Sequence, residues 1–179
     1  MIKHVNMNLL GRENMNGEKE NELGVACYQN EDYTGALNYW NKSMELGNLE
    51  AKYHIANLYY FGEGVEIDYT KAFEYFFDCA TSGEEGLHVT NSCFNVANAY
   101  FKGEAVEENL EKAFAWYHKA ADLGHPSACF NVGASYFRGD PYNQDFDKAF
   151  KYLMVAANDG FAIAQYMIGV LYTAGRGCN

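Results

Sequence analysis

The chain has 179 residues, 49% hydrophobic and 16% aromatic, with two prolines and five cysteines. That length admits one domain or at most two. Thirteen lysines and arginines against 24 aspartates and glutamates give a formal charge of −11. Such a charge repels nucleic-acid phosphates and anionic lipid head groups, so the expected partner is a neutral or basic protein or peptide, with no nucleic acid and no membrane.

Residues 1–16 form an N-terminal extension. Ile2, Val5 and Leu9 either line one face of a short helix or lie in a loose segment. The apolar set is broken by Asn6 and Asn8, so no Sec-type leader is expected. No run reaches the length of a membrane span. Cytoplasm is the expected compartment, with a secreted effector lacking a Sec signal as the alternative.

From residue 17 onward a two-helix unit recurs, and repeats of this period are the signature of a solenoid. Ala36, Ala72, Ala113 and Ala149 are separated by 36, 41 and 36 residues. Four positions before each stands Asp32, Asp68, Asn109 or Asp145, and eleven after each stands Gly47, Gly83, Gly124 or Gly160. An Asp or Asn before an apolar-periodic run is an N-cap, and a Gly after it suits the left-handed position past the last turn. This predicts a helix of about three turns in each unit, helix B. Its apolar stripe holds Leu37/Phe73/Phe114/Phe150, Trp40/Phe76/Tyr117/Leu153, then two mostly small columns. A preceding helix A carries Ile55-Ala56, Val96-Ala97, Val132-Gly133 and Ile168-Gly169, then Tyr59, Tyr100, Tyr136 and Tyr172, then Gly62, Gly103, Gly139 and Gly175. The units run over about 17–47, 48–83, 84–124 and 125–160, with a half unit over 161–179. Glu18, Glu20 and Glu22 sit where acidic residues complement a helix dipole. The third unit has a five-residue excess near residues 84–88.

These columns resemble the Sel-one-like repeat family, a longer-loop relative of the tetratricopeptide repeat. Residues 51–83 carry nearly all of the pattern in Ala51, Ile55-Ala56, Tyr59, Gly62-Glu63-Gly64-Val65, Lys71-Ala72 and Gly83. The resemblance implies an all-α, right-handed superhelix of about four and a half units in a single domain, residues 17–179. It also implies a scaffold or adaptor role, with helix A lining a concave surface that holds peptides or partner helices. Two loops depart from the pattern. Ala105 and the pair Pro141-Tyr142 stand in place of the second glycine and the valine.

Helix A carries a second stripe at spacing i, i+4, i+7, which lies along one side of a helix. It consists of Tyr53, Asn57 and Tyr60, then Phe94, Asn98 and Phe101, then Phe130, Ala134 and Phe137. With Lys102 and Arg138, its aromatic and amide members are the candidate partner-binding residues. Rings supply contact area and amides clamp a peptide backbone; the competing reading is packing between repeats.

No catalytic constellation is expected. His4, His54, His88, His118 and His125 lack metal-ligand spacing with one another or with cysteines, and no phosphate loop or serine elbow is present. No cofactor and no metal are predicted. The acidic loops 63–68 and 104–111 lack the ligand spacing of a calcium loop and read as solvated edges. The odd number of cysteines, Cys27, Cys79, Cys93, Cys129 and Cys178, reads as unpaired thiols in a reducing compartment. The expected role is a non-catalytic interaction module, in one version an acidic inhibitor or immunity-type protein. The alternative is an oligomerising piece of a longer array, paired weakly through residues 162–173, where Ile163, Tyr166, Met167, Val170 and Leu171 would lie open.

Overall fold

A computed structural model describes residues 16–177. The expectations for residues 1–15 and for Cys178 lie outside the described residues. Within them are nine helices and no strand: α1 (Glu18–Gln29), α2 (Tyr33–Glu45), α3 (Leu49–Phe61), α4 (Tyr69–Thr81), α5 (Leu87–Lys102), α6 (Leu110–Asp122), α7 (Pro126–Arg138), α8 (Phe146–Asn158) and α9 (Ala162–Thr173). The odd-numbered helices are the predicted helix A series and the even-numbered ones helix B. The chain divides at residues 84/85 into two compact units. In the first, each of α1 to α4 packs on its neighbour in sequence; in the second, α5 to α9 do the same.

The helix B termini follow the sequence cues atom by atom. The side chains of Asp32, Asp68, Asn109 and Asp145 accept from the backbone N–H of Gly35, Lys71, Lys112 and Lys148. Each satisfies a first-turn donor that the helix itself cannot. In the three long-loop repeats the N-cap N–H in turn donates to the carbonyl of the helix A tyrosine, Asp68 to Tyr59, Asn109 to Tyr100 and Asp145 to Tyr136. That bond closes the hairpin whatever the loop contains. Ala105 takes φ 69°, so the third repeat keeps the left-handed turn of Gly64, at φ 70°, without a glycine. The fourth differs: Tyr142 folds inward, stacks 4.7 Å from the Tyr136 ring and donates its hydroxyl to the carbonyl of Phe114 at 3.1 Å.

Of the five excess residues in repeat three, three lengthen helix A and two lie in the turn before it, which runs over 82–86 where the turn before α3 runs over 46–48. α5 has 16 residues where α3 and α7 have 13, and its first residue, Leu87, is 75% exposed.

Small residues seat the helices on one another. Ala36, Ala72, Ala113 and Ala149 are fully buried, as are Ser43, Cys79, Ala120 and Ala156 two turns on. On helix A, Ile55-Ala56, Val96-Ala97 and Val132 are fully buried as well. The Lys of each Lys-Ala pair lies over the helix A tyrosine, with Lys71 Nζ 4.2 Å from the Tyr59 ring centre, Lys112 5.2 Å from Tyr100 and Lys148 5.1 Å from Tyr136. The lysine stem covers apolar surface while its charge stays at the rim.

Cys27, Cys79, Cys93 and Cys129 are free thiols. Cys93 and Cys129 share a fully buried helix A column, and burial pushes the Cys129 thiol up to about 11.

Gly133 and Gly169 occupy one column in different surroundings. A Cβ on Gly133 would meet Leu153 atoms at 2.9 and 3.0 Å, whereas one on Gly169 meets nothing within 4 Å. Gly133→Ala is therefore expected to lose about 1–3 kcal/mol to overpacking, less the helix-propensity gain. Gly169→Ala is expected to gain up to about 1 kcal/mol. Thermal melts of the two variants should move in opposite directions.

Candidate partner-binding site

The predicted stripe is half buried, and its rings lean on helix B or on the N-cap of the following helix A. Tyr53 and Tyr60 lie 5.8 and 6.5 Å from the Phe76 ring in the first unit. In the second, Phe94 stacks on His125 at 4.2 Å and packs 5.7 Å from Tyr117. Phe130 lies 6.0 Å from Phe161, and Phe137 lies 6.0 Å from Phe146. His125 is also the N-cap of α7, its Nδ1 accepting from Ala128 N–H, and burial holds its pKa below the ordinary value.

The two candidate amides are engaged within the protein. Asn57 donates to the Tyr53 carbonyl of its own helix at 2.8 Å. Asn98 Oδ1 accepts from the Tyr117 hydroxyl at 2.7 Å. Tyr117 is buried, and desolvation pushes its pKa up to about 12. Lys102 is exposed and reaches Glu104 at 3.4 Å, a surface pair of little energetic weight.

Phe101 and Arg138 are the open members. Phe101 is 47% exposed, and the Arg138 guanidinium has no ion-pair partner among the described residues. Both line a hollow of about 160 Å³ between α5, α6 and α7, together with Phe114, Tyr117, Asn131 and Ser135. It continues past Phe101, Phe114 and Arg138 to Leu110, Asp140 and Pro141. The result is a groove with two aromatic walls, a guanidinium and the Asn131 amide. Among the described residues that amide makes no hydrogen bond through its side chain.

Sequence reasoning missed Phe114, Tyr117, Asn131 and Ser135. Asn131, Ser135 and Arg138 obey the same i, i+4, i+7 spacing as the predicted trio, one residue later. Ala134, the middle of the predicted trio, is buried. One residue is about 100° of helix rotation, so the two stripes face different neighbours.

A polar cluster lies apart from the groove. His118 Nδ1 is 3.0 Å from Asp122 Oδ2, and the Tyr152 hydroxyl donates to Asp122 Oδ1 at 2.6 Å. The Tyr136 hydroxyl lies 3.5 Å from His118 Nε2. Burial pushes the Asp122 carboxyl up, but the Tyr152 hydroxyl and the neighbouring His118 outweigh it and hold the carboxyl below its ordinary value. The cluster ties α6, α7 and α8 together. Among the described residues no group of three or more His, Cys, Asp or Glu side chains is placed to hold a metal ion, and no helix is long and apolar enough to cross a membrane.

α9 bears on the predicted open end. Ile163 and Tyr166 are 64% and 73% exposed, and Met167 and Val170 are half-buried. Leu171, expected open, is instead buried, because its side of α9 packs on α8.

A sequence model of the Sel1 repeat matches residues 49–77, 90–125, 126–161 and 162–179. Among solved structures, a protective antigen of uropathogenic Escherichia coli strains with an SLR fold is similar over 97% of this chain, at 26% identity and TM-score 0.76. A Sel1 repeat protein from Oxalobacter formigenes is similar over 89%, at 26% identity and TM-score 0.77. The matched region spans 38% of the first of those chains and 63% of the second. No curated protein sequence matches.

The Asn98–Tyr117 bond predicts a structural role for Asn98. Asn98→Ala leaves the buried Tyr117 hydroxyl without its acceptor and should cost about 1–3 kcal/mol. Tyr117→Phe in the same background should then cost little more, so a double-mutant cycle by denaturant unfolding should return a clear coupling energy.

Proposed function

The chain belongs to the Sel1 repeat family, and we propose that it is a non-catalytic protein-interaction scaffold that docks a partner segment in the groove of α5, α6 and α7. Sel1 repeat proteins generally act as protein-interaction scaffolds and are typically non-catalytic. The observation that carries the reading is the hollow lined by the exposed Phe101 ring and by the Arg138 guanidinium, which has no ion-pair partner among the described residues. Phe101 and Phe114 offer an apolar side chain two ring surfaces to bury on binding. Arg138 and Asn131 offer donors to the carbonyl groups of the same segment, and Asp140 on the rim offers an acceptor.

The charge of −11 supports a neutral or basic partner, and an acidic inhibitor or immunity-type protein covering a basic target is the specific form of this reading. Exposure of Ile163 and Tyr166 favours a second role, weak self-association through α9.

Phe101→Ala and Arg138→Ala touch exposed side chains, so each should leave the melting temperature close to that of the parent. Either should weaken a partner isolated by affinity capture by about 2 kcal/mol or more. Undiminished binding by both well-folded variants would remove the partner from this groove. For α9, light scattering over a concentration series should show a dimer that Tyr166→Glu abolishes; a monomer at millimolar protein would end the second reading.

A further inference from the structure

The first unit holds a different hollow, and its chemistry is that of acceptors and ring faces. It measures about 260 Å³ and is lined by Val25 and Tyr28 of α1, Trp40 of α2, and Tyr53, Asn57 and Phe61 of α3, with the His54 ring stacked flat on Trp40 at 4.7 Å. Three of its polar hydrogens are spent inside the protein. Trp40 Nε1–H donates to the Asn21 carbonyl, the Tyr28 hydroxyl to Glu63 Oε2 at 2.9 Å, and the Asn57 amide to the Tyr53 carbonyl. What they leave to a ligand is Asn57 Oδ1 with the second hydrogen of its amide, the aromatic faces and, bonded to the Tyr28 hydroxyl next to the lining, the Glu63 carboxylate. Tyr28 and Phe61 stand open at 38% and 61% exposure.

The unit that holds the hollow is predominantly negative. Residues 16–84 carry thirteen acidic side chains and four basic ones, whereas residues 85–177 carry ten and seven. None of the four basic side chains lines the hollow. Lys52 pairs with Asp78, Lys71 lies on Tyr59 and Lys42 lies over Tyr39.

We propose that this hollow takes the side chain of an arginine presented by a basic partner protein. A guanidinium is planar, so it stacks on the open Tyr28 and Phe61 rings. Its five N–H donors match Asn57 Oδ1 and the Glu63 carboxylate, acceptors that a neutral side chain would use far less well. The carboxylate is held in place by Tyr28, whose own pKa is raised by that hydrogen bond and by burial. The inference takes from the scaffold reading only the class of partner, a protein, and does not involve the groove of α5, α6 and α7.

The test titrates the isotope-labelled full chain with a capped Gly-Gly-Arg-Gly-Gly peptide and with its citrulline and lysine counterparts, followed by NMR. The arginine peptide should shift the Trp40 indole N–H and the amides of Asn57 and Phe61, and citrulline, equal in shape but neutral, should bind about tenfold more weakly. Phe61→Ala and Glu63→Gln should each weaken arginine binding about fivefold with the melting temperature unchanged. Phe61→Leu, which keeps the bulk and loses the ring, serves if the alanine variant is unstable. Equal binding of citrulline, lysine binding as tightly as arginine, an absence of shifts at these residues, or undiminished binding by both variants would overturn the proposal. Because the peptide is synthetic and the readout is residue by residue, failure here leaves the groove of α5–α7 untouched, and the reverse also holds.

Discussion

The structure depends on how closely helix A and helix B approach. At the contact stand Ala36, Ala72, Ala113 and Ala149, with Ser43, Cys79, Ala120 and Ala156 two turns further, all fully buried. Opposite them are Ala56, Ala97 and Gly133, and at Gly133 even a methyl group would collide with Leu153. Backbones brought this near leave room for a large side chain such as Leu153 only where the facing residue is as small as Gly133. Rings that pack beside the seam stand at its two edges. On one edge the helix A tyrosine lies under the lysine of helix B; on the other, Trp40, Phe76 or Tyr117 closes the hairpin.

That placement is what makes a binding face. Trp40 and Tyr117 occupy the same column, both are buried, and each forms part of a hollow in its own unit. Core and site thus share one side chain: the ring is held rigidly by packing on one side and presents an edge or face on the other. Rigid aromatic anchors lose little entropy on binding, which is the physical reason such positions suit recognition. Around this constant ring the walls vary. His54 in one hollow stands where Asn131 stands in the other, and Phe61 stands where Arg138 stands. One hollow is left with open rings and an amide oxygen, the other with a guanidinium that has no ion-pair partner among the described residues. The same hairpin geometry therefore presents two ligand chemistries without altering the fold.

Much of this was legible in the sequence. The Asp and Asn caps, the glycines that end helix B and the small columns depend on local backbone geometry or on a period of 3.6, so their residues announce them directly. The candidate site was legible only in part. Phe101 and Arg138 were identifiable from column position, but Asn98 looked like a free amide and is instead the acceptor for a buried tyrosine hydroxyl. Two stripes one residue apart are almost equally apolar and aromatic in the sequence. Only packing shows that 130, 134 and 137 turn toward their own repeat and its successor while 131, 135 and 138 line the groove.

The sequence by itself determined the hairpins, their number and their seams, because helix length, caps and small-residue columns are properties of residues near one another in the chain. Tertiary structure alone decided which polar atoms remain available. Whether Asn98, Tyr28 and Arg138 face a ligand or a neighbour depends on partners 19 and 35 residues away for the first two, and for Arg138 on the absence of an ion-pair partner among the described residues. Contacts between elements exist only once the helices are stacked. The same stacking decided that Tyr142 leaves the loop to stack on Tyr136, and that Leu171 is covered while Tyr166, on the same helix, stays open.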